Sequence, residues 1–104
     1  MKINEYQRLA MRTASNEDGL LNGALGLCGE AGEVADIIKK HKFQGHELDK
    51  QEVAKELGDI CWYIARICTE IGVSLEEVMQ CNIEKLRKRY PNGFDADRSI
   101  NRAE

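Results

Sequence analysis

Four carboxylates stand in two pairs, Glu30-x-x-Glu33 and Glu56-x-x-Asp59, on two stretches that both read as helix. Residues three apart on a helix share a face, so each pair can aim both carboxylates at one point. Two facing pairs would build an acidic oxygen cage, and hard divalent cations such as Mg2+ prefer oxygen ligands. Left uncompensated, four clustered carboxylates repel one another, which calls for a cation among them.

Each pair borders the apolar stripe of its helix rather than lying opposite it. Glu30 and Glu33 flank Leu27, Ala31, Val34 and Ile38, whereas Glu52, Glu56, Asp59 and Tyr63 form one line beside Val53, Leu57, Ile60, Ile64 and Ile67. An exposed charged edge is the ordinary fate of such residues. Two pairs on neighbouring helices, both flanking the core, favour a site. The first of these helices also carries Gly19, Gly23, Gly26, Gly29 and Gly32. Each interior glycine costs about 0.8–1 kcal/mol relative to alanine. So many imply either close helix–helix approach or clearance for a bulky ligand over the acidic face.

A second charged feature has the opposite sign. Lys85, Arg87, Lys88 and Arg89 stand against Glu84 alone between Asn82 and Tyr90. Basic residues in a last helical turn complement the helix dipole. Lys85 and Arg89 also share a face, with Asn82 one turn before, and such a strip can hold phosphates, arginine supplying a bidentate fork. A metal cage and a cationic strip together are what phosphoryl chemistry on a nucleotide requires.

The elements that must position these residues are helices. Asn4-x-x-Gln7 reads as a capping-box-like start for a first helix running to about Ser15. A polar break, Ser15 to Gly19, precedes a second helix from about Leu20 to Lys42. Asp49-x-x-Glu52 caps a third helix that runs to Ile71 and stops at Gly72, and Ser74-x-x-Glu77 caps a fourth, to about Tyr90. Pro91-Asn92-Gly93 ends it, and the polar stretch from Phe94 to Glu104 carries no assignable pattern. No strand alternation is present, so the expected fold is all-α, four helices in a bundle-like arrangement. The short second connection predicts that helices two and three are antiparallel, which brings the acidic pairs together.

Composition bounds the rest. A chain of 104 residues makes one domain, and 32% charged with 42% hydrophobic residues is the profile of a soluble helical protein. A net charge of −3 argues against a general nucleic-acid binder. The absence of a long apolar run or an apolar leader after Met1 argues against a membrane span or a signal peptide, so the expected location is the cytoplasm. Cys28, Cys61, Cys68 and Cys81 lack C-x-x-C spacing and sit among apolar helical residues, as buried reduced thiols would. His41 and His46, near a helix end and loop, read as solvated surface residues rather than ligands.

The runs Gly26-Leu27-Cys28-Gly29-Glu30-Ala31-Gly32-Glu33-Val34 and Glu56-Leu57-Gly58-Asp59-Ile60 resemble the MazG-like branch of the all-α nucleoside triphosphate pyrophosphatases, marked by E-x-x-E, a spacer and E-x-x-D. The ending Asn82 to Phe94 and the opening Asn4 to Gln7 are similar to small MazG-like proteins, so the resemblance covers residues up to about Phe94 and leaves 95–104 as a tail. Gly29 departs from it, standing where many MazG proteins carry a further glutamate; Glu52 and Asp36 each lie a turn from a motif residue. The resemblance implies hydrolysis of a nucleoside triphosphate between its α- and β-phosphates, giving a monophosphate and pyrophosphate. It implies Mg2+, with Mn2+ as a substitute, held by Glu30, Glu33, Glu56 and Asp59, and assembly into homodimers or homotetramers. Glu33 is then the expected proton acceptor for the attacking water. Tyr63 matches a position near the ligand in relatives, and Asn82, Lys85, Lys88 and Arg89 complete the expected substrate-binding set. A di-metal oxidase would need Glu-x-x-His, which neither motif has. A phosphoribosyl-ATP pyrophosphatase, with the same fold and chemistry, and a non-catalytic helical module remain as rivals.

Overall fold

Five α-helices and one 3-10 turn make up the computed structural model, which describes residues 1–102. The helices are α1 (Ile3–Ala10), α2 (Gly19–Phe43), α3 (Lys50–Glu70), α4 (Leu75–Arg89) and α5 (Ala96–Ile100), with the 3-10 turn at Met11–Thr13. Among the described residues there is no strand, and no helix is long and apolar enough to cross a membrane.

Capping chemistry sets most boundaries. Asp18, Asp49 and Ser74 each accept a hydrogen bond from the backbone N–H three residues on, at 3.1, 3.1 and 3.2 Å. Gly72, with φ of 76°, ends α3 in the left-handed region that an L side chain avoids. Lys40, His41 and Lys42 occupy the last turn of α2, and His41 closes the turn beyond it through Nδ1 and the His46 carbonyl at 2.8 Å.

The start of α1 differs from the expected cap. Glu5, not Gln7, answers the helix start, accepting from the Lys2 N–H at 3.4 Å. Asn4 and Gln7 instead reach across the chain. Gln7 donates to Thr69 Oγ1 and the Val73 carbonyl, both at 3.1 Å, and accepts from the Leu75 N–H at 2.7 Å. Asn4 donates to Glu76 at 3.1 Å and accepts from the Ser74 hydroxyl at 2.9 Å. These bonds pin α1 to the corner between α3 and α4. The helix also ends earlier than Ser15, where the chain tightens into the 3-10 turn.

α2 and α3 form the main hairpin. Moving along α2, Gly19 meets Arg66 and Glu70, Gly23 meets Ile67, and Gly26 meets Tyr63. The partner numbers fall as the α2 numbers rise, so the two helices are antiparallel, as expected. A Cβ on Gly23 would sit 2.7 Å from Ile67 Cγ1, and one on Gly26 would enter the Tyr63 ring. Close approach therefore accounts for three of the five glycines. Gly29 and Gly32 have nothing beyond their own stretch of helix within 4 Å of a would-be Cβ.

The chain alone buries little. Among the described residues Ala65, Cys68 and Leu75 form the buried apolar core, with Tyr6, Ala10, Met11, Ile64 and Val73 packed around them. The radius of gyration is 16.8 Å, against about 13 Å for a compact chain of this length. α4 packs on α1 and α3 and leaves Val78, Met79, Ile83 and Leu86 exposed. Of the four cysteines, all reduced, only Cys68 is buried. Cys28, Cys61 and Cys81 lie exposed, contrary to expectation, because the helix faces that carry them are uncovered in the single chain. The stretch after Phe94, which showed no pattern in sequence, contains α5, capped by Asp95; the end of that expected tail, residues 103–104, lies outside the described residues.

Candidate metal and nucleotide site

The antiparallel hairpin brings Glu30 of α2 against Glu56 and Asp59 of α3. One carboxylate oxygen from each lies within 4.8 Å of the others. Glu30 and Glu56 are half-buried and Asp59 is exposed. Glu30 Oε2 is buried with no hydrogen-bond partner, an expensive state for a carboxylate unless a cation sits against it. The Glu56 carboxyl is held above its ordinary range, first by a hydrogen bond with Glu30, then by loss of solvent, then by the charges of Glu30 and Asp59, while Lys55 pulls it down. The cluster thus holds a proton more tightly than separate carboxylates would, and a divalent cation would relieve the same repulsion. An all-oxygen donor set fits Mg2+, Mn2+ or Ca2+ and not a thiophilic ion.

Glu33, the remaining motif residue, is exposed one turn beyond Glu30 and stands outside this trio. Its charge acts on Lys40. Asp36 and Glu52 are engaged on their own helices. Asp36 pairs with Lys40 at 2.8 Å and Lys39 at 3.7 Å, and the Lys40 hydrogen bond above all holds its carboxyl below the usual range. Glu52 pairs with Lys55 at 3.6 Å.

Beside the trio opens a cavity of about 410 Å³ lined by Thr13, Glu30, Asp59, Trp62 and Tyr63. Tyr63 therefore reaches the acidic site, its ring seated on Gly26. Trp62 and Thr13 were not singled out in the sequence. Trp62, on α3, is edge-on to Tyr63, centroids 5.1 Å apart at 86°. Thr13 arrives from the connector between α1 and α2, which sequence periodicity does not place. Tyr6 also feels the site: its phenol is pushed up, first by burial and then by the charges of Cys61 and Asp59.

The basic strip is elsewhere in the chain. Asn82 lines a separate, mostly apolar groove with Ile3, Ile64, Val78, Met79 and Ile83. Lys85 and Lys88 are exposed on α4, and the Arg89 guanidinium lies 5.8 Å from the Tyr90 ring centroid. None of these four lines the acidic cavity within one chain.

The model of the MazG nucleotide pyrophosphohydrolase domain matches residues 20–94, which span α2, α3, α4 and the turn after it. The Gene 37 protein of Mycobacterium phage L5 is 34% identical over 89% of this chain and 92% of its own length. The uncharacterized protein YvdC of Bacillus subtilis strain 168 is 37% identical over 59% of this chain and 66% of its own. No solved structure matches. The matched span contains both carboxylate motifs and the hairpin that joins them, and the chain belongs to the MazG nucleotide pyrophosphohydrolase family.

Proposed function

We propose that this chain is a Mg2+-dependent nucleoside triphosphate pyrophosphohydrolase that cleaves between the α- and β-phosphates and releases a nucleoside monophosphate and pyrophosphate. The observation that carries the reading is the convergence of Glu30, Glu56 and Asp59 to within 4.8 Å, with a buried Glu30 oxygen that has no partner. Glu30, Glu56 and Asp59 would hold Mg2+, which would supply neutralisation of phosphate oxygens and a more acidic water. Glu33, one turn on and outside the trio, would take the proton from the attacking water. Tyr63 walls the cavity against the nucleoside.

The protein acts as a homodimer or homotetramer. The three buried apolar residues found among those described are too small a core for a 104-residue chain. α2 supports the same reading, because it is apolar around most of its circumference: Leu20, Leu21, Leu25 and Ile38 are exposed on it. Asn82, Lys85, Lys88 and Arg89 then serve the triphosphate from the neighbouring copy, since they do not line the cavity of their own chain.

The test is a panel of ribo- and deoxyribonucleoside triphosphates scored for pyrophosphate with EDTA, then with Mg2+ restored. Release that requires Mg2+ and disappears in Glu30→Gln is expected. Release that survives EDTA, or that Glu30→Gln leaves intact, contradicts the proposal.

A further inference from the structure

Two side chains on α3, one turn apart, hold the connector between α1 and α2. Trp62 Nε1 donates to the Ala10 carbonyl and to Thr13 Oγ1, both at 2.9 Å. Arg66 Nη2 donates to the carbonyls of Ser15 at 2.8 Å and Glu17 at 3.2 Å, and pairs with Glu70 at 3.2 Å. Arg66 is buried, and Gly19 leaves room for the Arg66–Glu70 pair. A loop that carries no helix face of its own is thereby fixed at both ends against α3. Its Thr13 is set in the wall of the cavity that contains Glu30 and Asp59.

The hydrogen bonds of Thr13 dictate what it can offer. An indole N–H can only donate, so Thr13 Oγ1 accepts from Trp62. The Ala10 carbonyl can only accept, so the Thr13 hydroxyl proton is committed to it, at 3.1 Å. One lone pair on Oγ1 remains, and it is an acceptor. A ligand group that meets Thr13 therefore makes a good contact only if it brings a proton.

We propose that Thr13 is a specificity-determining residue of this pocket, selecting a ligand hydrogen-bond donor, and that Trp62 is the positioning residue that fixes the polarity of its hydroxyl. The donor is an amino or a hydroxyl group, carried by the base or by the sugar of the nucleotide. This rests on the acidic cavity being the nucleotide site, and its test does not need turnover. Sites that pair a ligand N–H or O–H reject analogues lacking it far more strongly than apolar pockets reject a missing methylene.

The experiment measures binding of α,β-methylene nucleoside triphosphates, with Mg2+, by calorimetry and by the emission of Trp62, the single tryptophan of the chain. The ligands cross amino with oxo bases and ribose with 2′-deoxyribose. The wild type should bind one member of a pair at least about tenfold more tightly, the gain expected of one well-paired donor. The pair that separates names the source, base or sugar. Trp62 emission should shift on saturation. Thr13→Val should abolish the discrimination and Thr13→Ser should restore it, a rescue that excludes simple misfolding. Trp62→Phe should lose discrimination to the same extent, and the double variant should be no worse than either single one. Turnover should show the loss in KM, with kcat changed less than about twofold.

Unchanged discrimination in Thr13→Val, additive losses in the double variant, or static Trp62 emission at saturation each overturns the proposal. Any of these alongside Mg2+-dependent pyrophosphate release leaves the hydrolase reading intact. Discrimination that collapses in Thr13→Val, in a protein that releases no pyrophosphate from any nucleotide, upholds this proposal and removes the hydrolase reading.

Discussion

Glu56 carries a proton more readily than an ordinary carboxylate because its protonated form can donate to Glu30, and Asp59 adds charge nearby. A carboxyl whose folded pKa exceeds its unfolded value favours folding when protonated, and that contribution is lost as pH rises through the folded value. The metal-free protein should therefore lose melting temperature as pH climbs out of the carboxylate range toward neutrality. The loss should be smaller in Glu56→Gln, and Mg2+ should reverse it; melts in EDTA with and without added Mg2+ read both effects, and identical pH curves for the two proteins would count against the coupling. Glu30→Gln, Glu56→Gln and Asp59→Asn should each reduce turnover by about a hundredfold or more. None should lower metal-free stability, because each relieves repulsion; a variant that melts early yet turns over normally would mark its residue as structural. At this scale the sequence was informative where helical spacing governs. Three of the four motif carboxylates meet, and Tyr63 joins them because it sits one turn past Asp59. Thr13 was not legible, because the first helix was expected to run on to about Ser15, whereas the chain leaves it at Ala10 and is held by the Trp62 and Arg66 bonds.

Among the elements, the caps at Asp49 and Ser74 were readable because an N-cap is a local contact between residues three apart. Asn4 and Gln7 imitate that spacing, but their partners lie about seventy positions away, a distance over which local rules carry no information. Gln7 satisfies three polar groups at the α3–α4 corner. Gln7→Ala should cost about 1–3 kcal/mol in urea unfolding, the penalty for stranding part-buried partners, without weakening Mg2+ binding measured by calorimetry. The glycines of α2 divide in the same way. Gly26→Ala must displace the Tyr63 ring, so both stability and nucleotide affinity should fall. Wild-type affinity in that variant would show that Tyr63 does not wall the nucleotide.

For the whole molecule, the all-α architecture followed from composition and periodicity, but the extended shape of the chain did not, because a sequence does not mark which apolar residues are covered by its own chain. Leu25 is 66% exposed and Leu21 is 56% exposed, on a face of α2 shared with Gly29 and Gly32 that no other described helix covers. If that face met only solvent, Leu25→Glu would be harmless and Gly29→Ala would stabilise the helix by about 1 kcal/mol. The proposed homo-oligomer instead predicts that Leu25→Glu yields monomers by light scattering and loses activity, and that Gly29→Ala weakens assembly. An active wild-type monomer at micromolar concentration would refute the shared site. The central claim concerns which bond breaks, and 31P NMR of a nucleoside triphosphate incubated with the protein and Mg2+ reads it directly. Pyrophosphate and nucleoside monophosphate should appear together in equal amounts. Orthophosphate with a nucleoside diphosphate would contradict the account.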